Sequence, residues 1–166
     1  MKKRAILVFL MICLLPCMMS CANSRSAMAT NQTADVYFVD KSLMRLLPAK
    51  IYLPDVSTEK AAKKVIEELI KGRDTNPKIL RLIPNSKRCM TVKVENDTAY
   101  VNLTKKLIKE HPDGANQEIL TVYAIVNSLT SIDGIKKVKF TIDGKEKADF
   151  KGNIDMRETF VPDFNV

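Results

Sequence analysis

Apolar and polar positions follow two rhythms along this chain, and the sharpest change between them falls within Ala115 to Lys145. Ile119, Val122, Tyr123, Val126 and Leu129 recur at three- and four-residue spacing, with Gln117, Thr121, Ala124, Ser128 and Ser131 along the opposite edge. This spacing predicts an amphipathic helix of about four turns with one face to bury. Asp133-Gly134 ends it, because glycine takes the left-handed conformation that closes a helix at little cost. The period then drops to two. Val138, Phe140 and Ile142 alternate with Lys137, Lys139 and Thr141, as in a strand with one buried face. A link this short folds the helix back onto the sheet that holds its own following strand.

The same rhythms recur upstream. Asp35 to Asp40 and Leu46 to Leu53 are short β-forming runs that predict a hairpin, and Pro48, which cannot donate to a ladder, makes the second an edge strand or starts it after the proline. From Ser57 or Thr58, Ala61, Ala62, Val65, Ile66, Leu69 and Ile70 repeat at helical spacing as far as Gly72. Arg73 to Lys87 reads as loop. Val92 and Val94 then point inward while Thr91, Lys93 and Glu95 point outward; after the Asn96-Asp97 turn, Ala99, Val101 and Leu103 face in and Tyr100 and Asn102 face out. The order is β-β-α-β-β-α-β. It predicts an α+β fold, a two-layer sandwich with two helices on one face of a single mixed or antiparallel sheet.

The N-terminus has a different character. Residues 1–20 join the basic Lys2-Lys3-Arg4 to an apolar run ending at Met19, too short and wrongly flanked to span a bilayer, which is the pattern of an export signal. Cys13 and Cys17 fall inside it. Cys21 stands directly after it, behind Ser20, and resembles the lipidated cysteine of a bacterial lipoprotein, with Cys17 as the fallback. Residues 21–34 are polar, small and unpatterned, a tether of about 20 Å as a coil between the anchor and a single domain over residues 35–166. The expected placement is extracytoplasmic, held to the cell membrane by the lipid. Without Lys2, Lys3 and Arg4, the 27 basic and 19 acidic residues leave a net charge of +5. That mild, interspersed excess suits contact with anionic lipid headgroups or wall polymers, but favours a solvated lysine-rich surface over either, and no nucleic-acid partner is expected.

Candidate chemistry is sparse. His111, beside Pro112 in a predicted loop, lacks companions as a base or metal ligand, and Cys89 at the start of a strand reads as a small core residue. The carboxylate pairs Asp143 with Glu146 and Asp155 with Glu158 sit among turn formers, with no apolar setting to raise a pKa. No phosphate loop, nucleophile elbow or metal motif appears. The sequence therefore predicts no enzyme, no cofactor and no metal. It predicts a surface instead: Thr91, Lys93, Tyr100, Asn102, Lys137, Lys139 and Thr141 as one polar sheet face for binding envelope proteins, a second copy, or an anionic polymer such as peptidoglycan. Edge strands offer a second route to assembly.

Several stretches, in order, resemble the GerMN domain of the sporulation and spore germination family. These are Val36-Tyr37-Phe38-Val39-Asp40, the helix ending at Gly72, Ile83-Pro84, Val101-Asn102-Leu103-Thr104, Val126-Asn127-Ser128-Leu129-Thr130 and Val138 to Lys145. The resemblance implies a non-catalytic, exported and often lipid-anchored α/β domain, similar to ring-building modules of the channel between mother cell and forespore. Where the family favours aspartate and serine, this chain has Asn102 and Thr104.

Overall fold

The computed structural model describes residues 32–54, 56–147 and 149–166. The export signal, Cys21 and the tether as far as Asn31 lie outside the described residues. The elements run β1 (Gln32–Asp40), β2 (Leu46–Leu53), α1 (Thr58–Lys71), β3 (Ile79–Leu80), β4 (Met90–Glu95), β5 (Thr98–Leu103), α2 (Lys105–Glu110), α3 (Ala115–Thr130) and β6 (Lys137–Ile142). The fold is mixed α+β. Residues 32–34, assigned from the sequence to the tether, are already strand and pair with Leu53, Tyr52 and Ile51.

The strands form two three-stranded sheets, ordered β2-β1-β3 and β4-β5-β6, and not the single sheet expected from the sequence. The reason lies at the free edge of β1. Ser128 Oγ accepts the Tyr37 N–H at 2.8 Å, while Ser131 Oγ accepts the Asp35 N–H and donates to the Asp35 carbonyl, both at 3.0 Å. The small polar edge of α3 thus takes the place a further strand would have filled, satisfying backbone groups that burial would otherwise leave unpaired. In an antiparallel ladder, residues that turn their backbone groups to one neighbour turn none to the other. Pro48, opposite Tyr37, therefore points its nitrogen outward, and β2 is an edge strand that loses no ladder bond to the proline.

This also overturns the expectation that α3 buries a single face. Leu120 to Val122 and Ala124 to Leu129 are buried, with Leu120 clustered with Val39 of β1 and Ser128 bonded to the same strand, while Val122, Val126 and Leu129 enter the main core. That core joins Ala34, Val36 and Phe38 of β1 to the buried stripe of α1 and the inner faces of β4, β5 and β6. Helix α1 ends at Gly72, whose φ of 66° is costly for any residue with a side chain. Helix α2 was not foreseen. Thr104 caps it, its Oγ1 accepting the Leu107 N–H at 3.2 Å, but with Leu107 its one buried residue it leaves no periodic signature.

Candidate functional site

The alternation in β4, β5 and β6 places every second residue on one outer face, and pairing fixes the rows. Thr91 lies beside Asn102 and Asn102 beside Thr141; Lys93 lies beside Tyr100 and Tyr100 beside Lys139; Lys137 sits next to Thr98 at the end of the sheet. β5 is antiparallel to β4 and parallel to β6. The inward partners of the same strands, including Met90, Val92, Val101, Leu103 and Phe140, are buried. All seven residues singled out from the sequence are thus on one face, with Thr91, Lys93 and Tyr100 exposed and Asn102, Lys137, Lys139 and Thr141 half-buried. Tyr100, 40% exposed, is the aromatic at its centre.

The face is organised by its own hydrogen bonds. Asn102 Oδ1 accepts from Thr141 Oγ1 at 3.0 Å and from the Gly144 N–H at 2.6 Å, which clamps the two-residue Asp143-Gly144 turn after β6. An oxygen acceptor is what this position requires, and asparagine supplies it as aspartate would. Lys139 pairs with Glu146 at 2.6 Å, and that hydrogen bond and charge hold the ammonium above its ordinary pKa and the Glu146 carboxyl below its own. Lys137 pairs with Asp97 at 3.5 Å; the Asp97 carboxyl is lowered by the Thr98 hydroxyl first and by Lys137 after it. The face therefore presents a tyrosine between lysines, with Lys93 the least committed of them. It is suited to contact by ring stacking and charge.

The remaining candidates are structural in geometry. His111 is 2% exposed, with Nδ1 2.7 Å from the Pro112 carbonyl, Nε2 2.8 Å from Thr121 Oγ1, and its ring edge-on to Phe150 at 4.9 Å. Burial lowers its pKa. Cys89 is buried with its thiol pushed up by desolvation, which suppresses the nucleophilic thiolate. Asp143 accepts the Lys105 N–H at 3.1 Å. Asp155 is drawn down to about 2 by the Arg157 guanidinium, whose Nε lies 3.0 Å away.

The sequence reading missed Glu118. It is 1% exposed, and its oxygens accept from the backbone of Lys151 and Asn153 and from Asn153 Nδ2 at 2.6 Å, so one carboxylate fastens the loop after β6 to the start of α3. Asn127 carries no signal of its own in the sequence beyond the Val126 to Thr130 stretch. Its side chain brackets Asp163, donating to the carbonyl at 2.6 Å and accepting the N–H at 3.1 Å, and ties the C-terminal segment to α3. Among the described residues no three of His, Cys, Asp and Glu gather as a metal site, and no helix is long and apolar enough to cross a membrane.

Fold and face together define a small α+β module with an open polar sheet surface. Residues 35–148 match the family described as Germane, sporulation and spore germination, and the chain belongs to this GerMN-type family. Solved structures share the fold. A Clostridium perfringens protein assigned as a lipoprotein superposes with a TM-score of 0.56 at 22% identity, over 79% of this chain and 87% of that one. The first GerMN domain of the sporulation protein GerM from Bacillus subtilis gives 0.52 at 22%, over 73% and 90%. The tandem GerMN domains of that protein give 0.54 at 20%, over 73% of this chain and 42% of theirs. No curated protein matches.

Proposed function

We propose that this chain is a lipid-anchored, extracytoplasmic domain that performs no catalysis and docks or scaffolds envelope components, in sporulation or spore germination, through the outer face of β4, β5 and β6. The observation that carries the reading is the row Lys93-Tyr100-Lys139, which no element of the described chain covers. Exposed aromatics flanked by cations are favourable contact centres, since the ring gains area and the charges steer the encounter. Membership of the sporulation and germination family supports the setting, and the lipoprotein assignment of the Clostridium structure supports the anchor.

Light scattering on the chain from residue 22 onward tests it, across concentration and with solubilised envelope protein added. The expected outcome is a concentration-dependent oligomer or a larger complex, lost in Lys93→Glu with Lys139→Glu. A species that stays monomeric under both conditions would sink the scaffold.

A further inference from the structure

The outer face of the first sheet differs in chemistry from that of the second. Ala34, Val36 and Phe38 of β1 enter the core, so Thr33, Asp35 and Tyr37 turn the other way, beside Tyr52, Lys50 and Pro48 of β2. Lys50 and Asp35 pair at 3.3 Å, which balances the charges in these rows. At one end of the face Tyr52 is 57% exposed. Towards the other, Phe164 lies on the Tyr37 ring, with centroids 5.8 Å apart, and is still 62% exposed. That phenylalanine is held in place. Asn127 brackets Asp163 directly before it, and Asp163 Oδ1 accepts the Asn165 N–H directly after it at 2.9 Å. The domain thus displays two large rings on a face whose charges cancel.

We propose that this face rests on the bilayer that holds the anchor, with Tyr52 and Phe164 entering the headgroup region. The occupant follows from where the chain enters the domain. β1 starts at Gln32, opposite Leu53, so Tyr52 stands beside the point of entry. The stretch from Cys21 to Gln32 spans about 18 Å as a coil. Tyr37, under Phe164, is about 17 Å further along the strand. An anchor at Cys21 therefore keeps both rings close to lipid, and makes a contact too weak to hold a free domain into an intramolecular one. Rings with an apolar body, and in tyrosine a polar tip, favour that depth. A second copy adding a strand at this edge would meet Pro48, whose nitrogen points outward with no hydrogen to donate. The contact rests on the lipid-anchored reading, and it leaves unused the Lys93-Tyr100-Lys139 row, which lies on the other sheet.

The chain has no tryptophan, so a single introduced one reports its own surroundings. The full chain, purified with its anchor, is reconstituted into phosphatidylcholine vesicles with or without bromine on the acyl chains and recovered by flotation. Fluorescence of Phe164→Trp and of Tyr52→Trp is expected to shift to shorter wavelength and to lose intensity on brominated lipid. Tyr100→Trp, on the polar face, should keep its intensity. A variant that does not melt cooperatively is set aside, and the other reporter on the face decides. Vesicle-bound protein in which a folded reporter on the face stays unquenched, or in which Tyr100→Trp is quenched as much, overturns the contact and leaves the anchor standing. A shift in Phe164→Trp that grows with the protein-to-lipid ratio, without quenching, gives the face to a second copy and overturns it too. Protein that does not float with the vesicles overturns the anchor and the contact together.

Discussion

His111 is the only histidine in the chain, and both of its ring nitrogens are engaged in a buried site. With Nδ1 donating to the Pro112 carbonyl, Nε2 accepts from the Thr121 hydroxyl; a second proton would take that acceptor away. Burial is the main cause of the lowered pKa, opposed first by the hydrogen bond to the Pro112 carbonyl; the nearby Lys151 lowers it further, while Glu118 and Asp113 act in the opposite sense. A group whose folded pKa is depressed binds more protons when unfolded, so its contribution to stability is whole above the unfolded value of about 6.5 and is lost as pH falls below it. Thermal unfolding followed from pH 7.5 to 5 is therefore expected to show declining stability, by at most about 1.4 kcal/mol per pH unit for one proton. In His111→Gln that limb should flatten. Equal slopes in the two proteins would show that another group sets the dependence. The lowered carboxyls, Asp113 among them, titrate at more acidic pH and leave this window clear.

At the scale of elements, α3 has two jobs, and its sequence displays only one of them. Ile119, Val122, Tyr123, Val126 and Leu129 were legible as an apolar stripe, and the helix and the alternating strand after it are where that pattern placed them, although the helix ends at Thr130 with Ser131 still right-handed and Gly134, at a φ of 93°, serves the turn beyond it and not the cap. The opposite edge was not legible as packing, because serine and threonine on a helix look the same whether they meet water or a strand edge. What separates the cases is a partner about 90 residues away in β1. The single sheet was lost for the same reason. Ser128→Ala with Ser131→Ala is expected to leave the Asp35 and Tyr37 N–H groups without acceptors and to destabilise the domain by about 2–4 kcal/mol in urea unfolding. Thr130→Ala serves as the control, since its hydroxyl bonds only to carbonyls of its own helix, Val126 and Asn127. A double variant as stable as the control would mean that the helix edge does not substitute for a strand. Pro48 gives the converse lesson, because a proline in a strand announces an edge from sequence alone, and β2 is one.

For the molecule as a whole, the polar face of β4, β5 and β6 was readable because a period of two assigns sides without any knowledge of tertiary contacts. Glu118 and Asn127 were not, since each depends on a segment it meets only after folding: residues 151–153 and Asp163. The N-terminal region sets how this domain would be deployed. With β1 starting at Gln32, an anchor at Cys21 would hold the domain within about 40 Å even with the intervening residues fully extended. One acyl chain gives reversible membrane binding, whereas the several chains of a lipoprotein cysteine give stable retention. In cells fed an alkyne-labelled fatty acid, the chain is expected to acquire label and to sediment with membranes. Cys21→Ser should abolish both, and Cys17→Ser neither. Label that follows Cys17 would move the anchor four residues upstream and lengthen the tether, while unlabelled, soluble wild-type protein would remove the anchor.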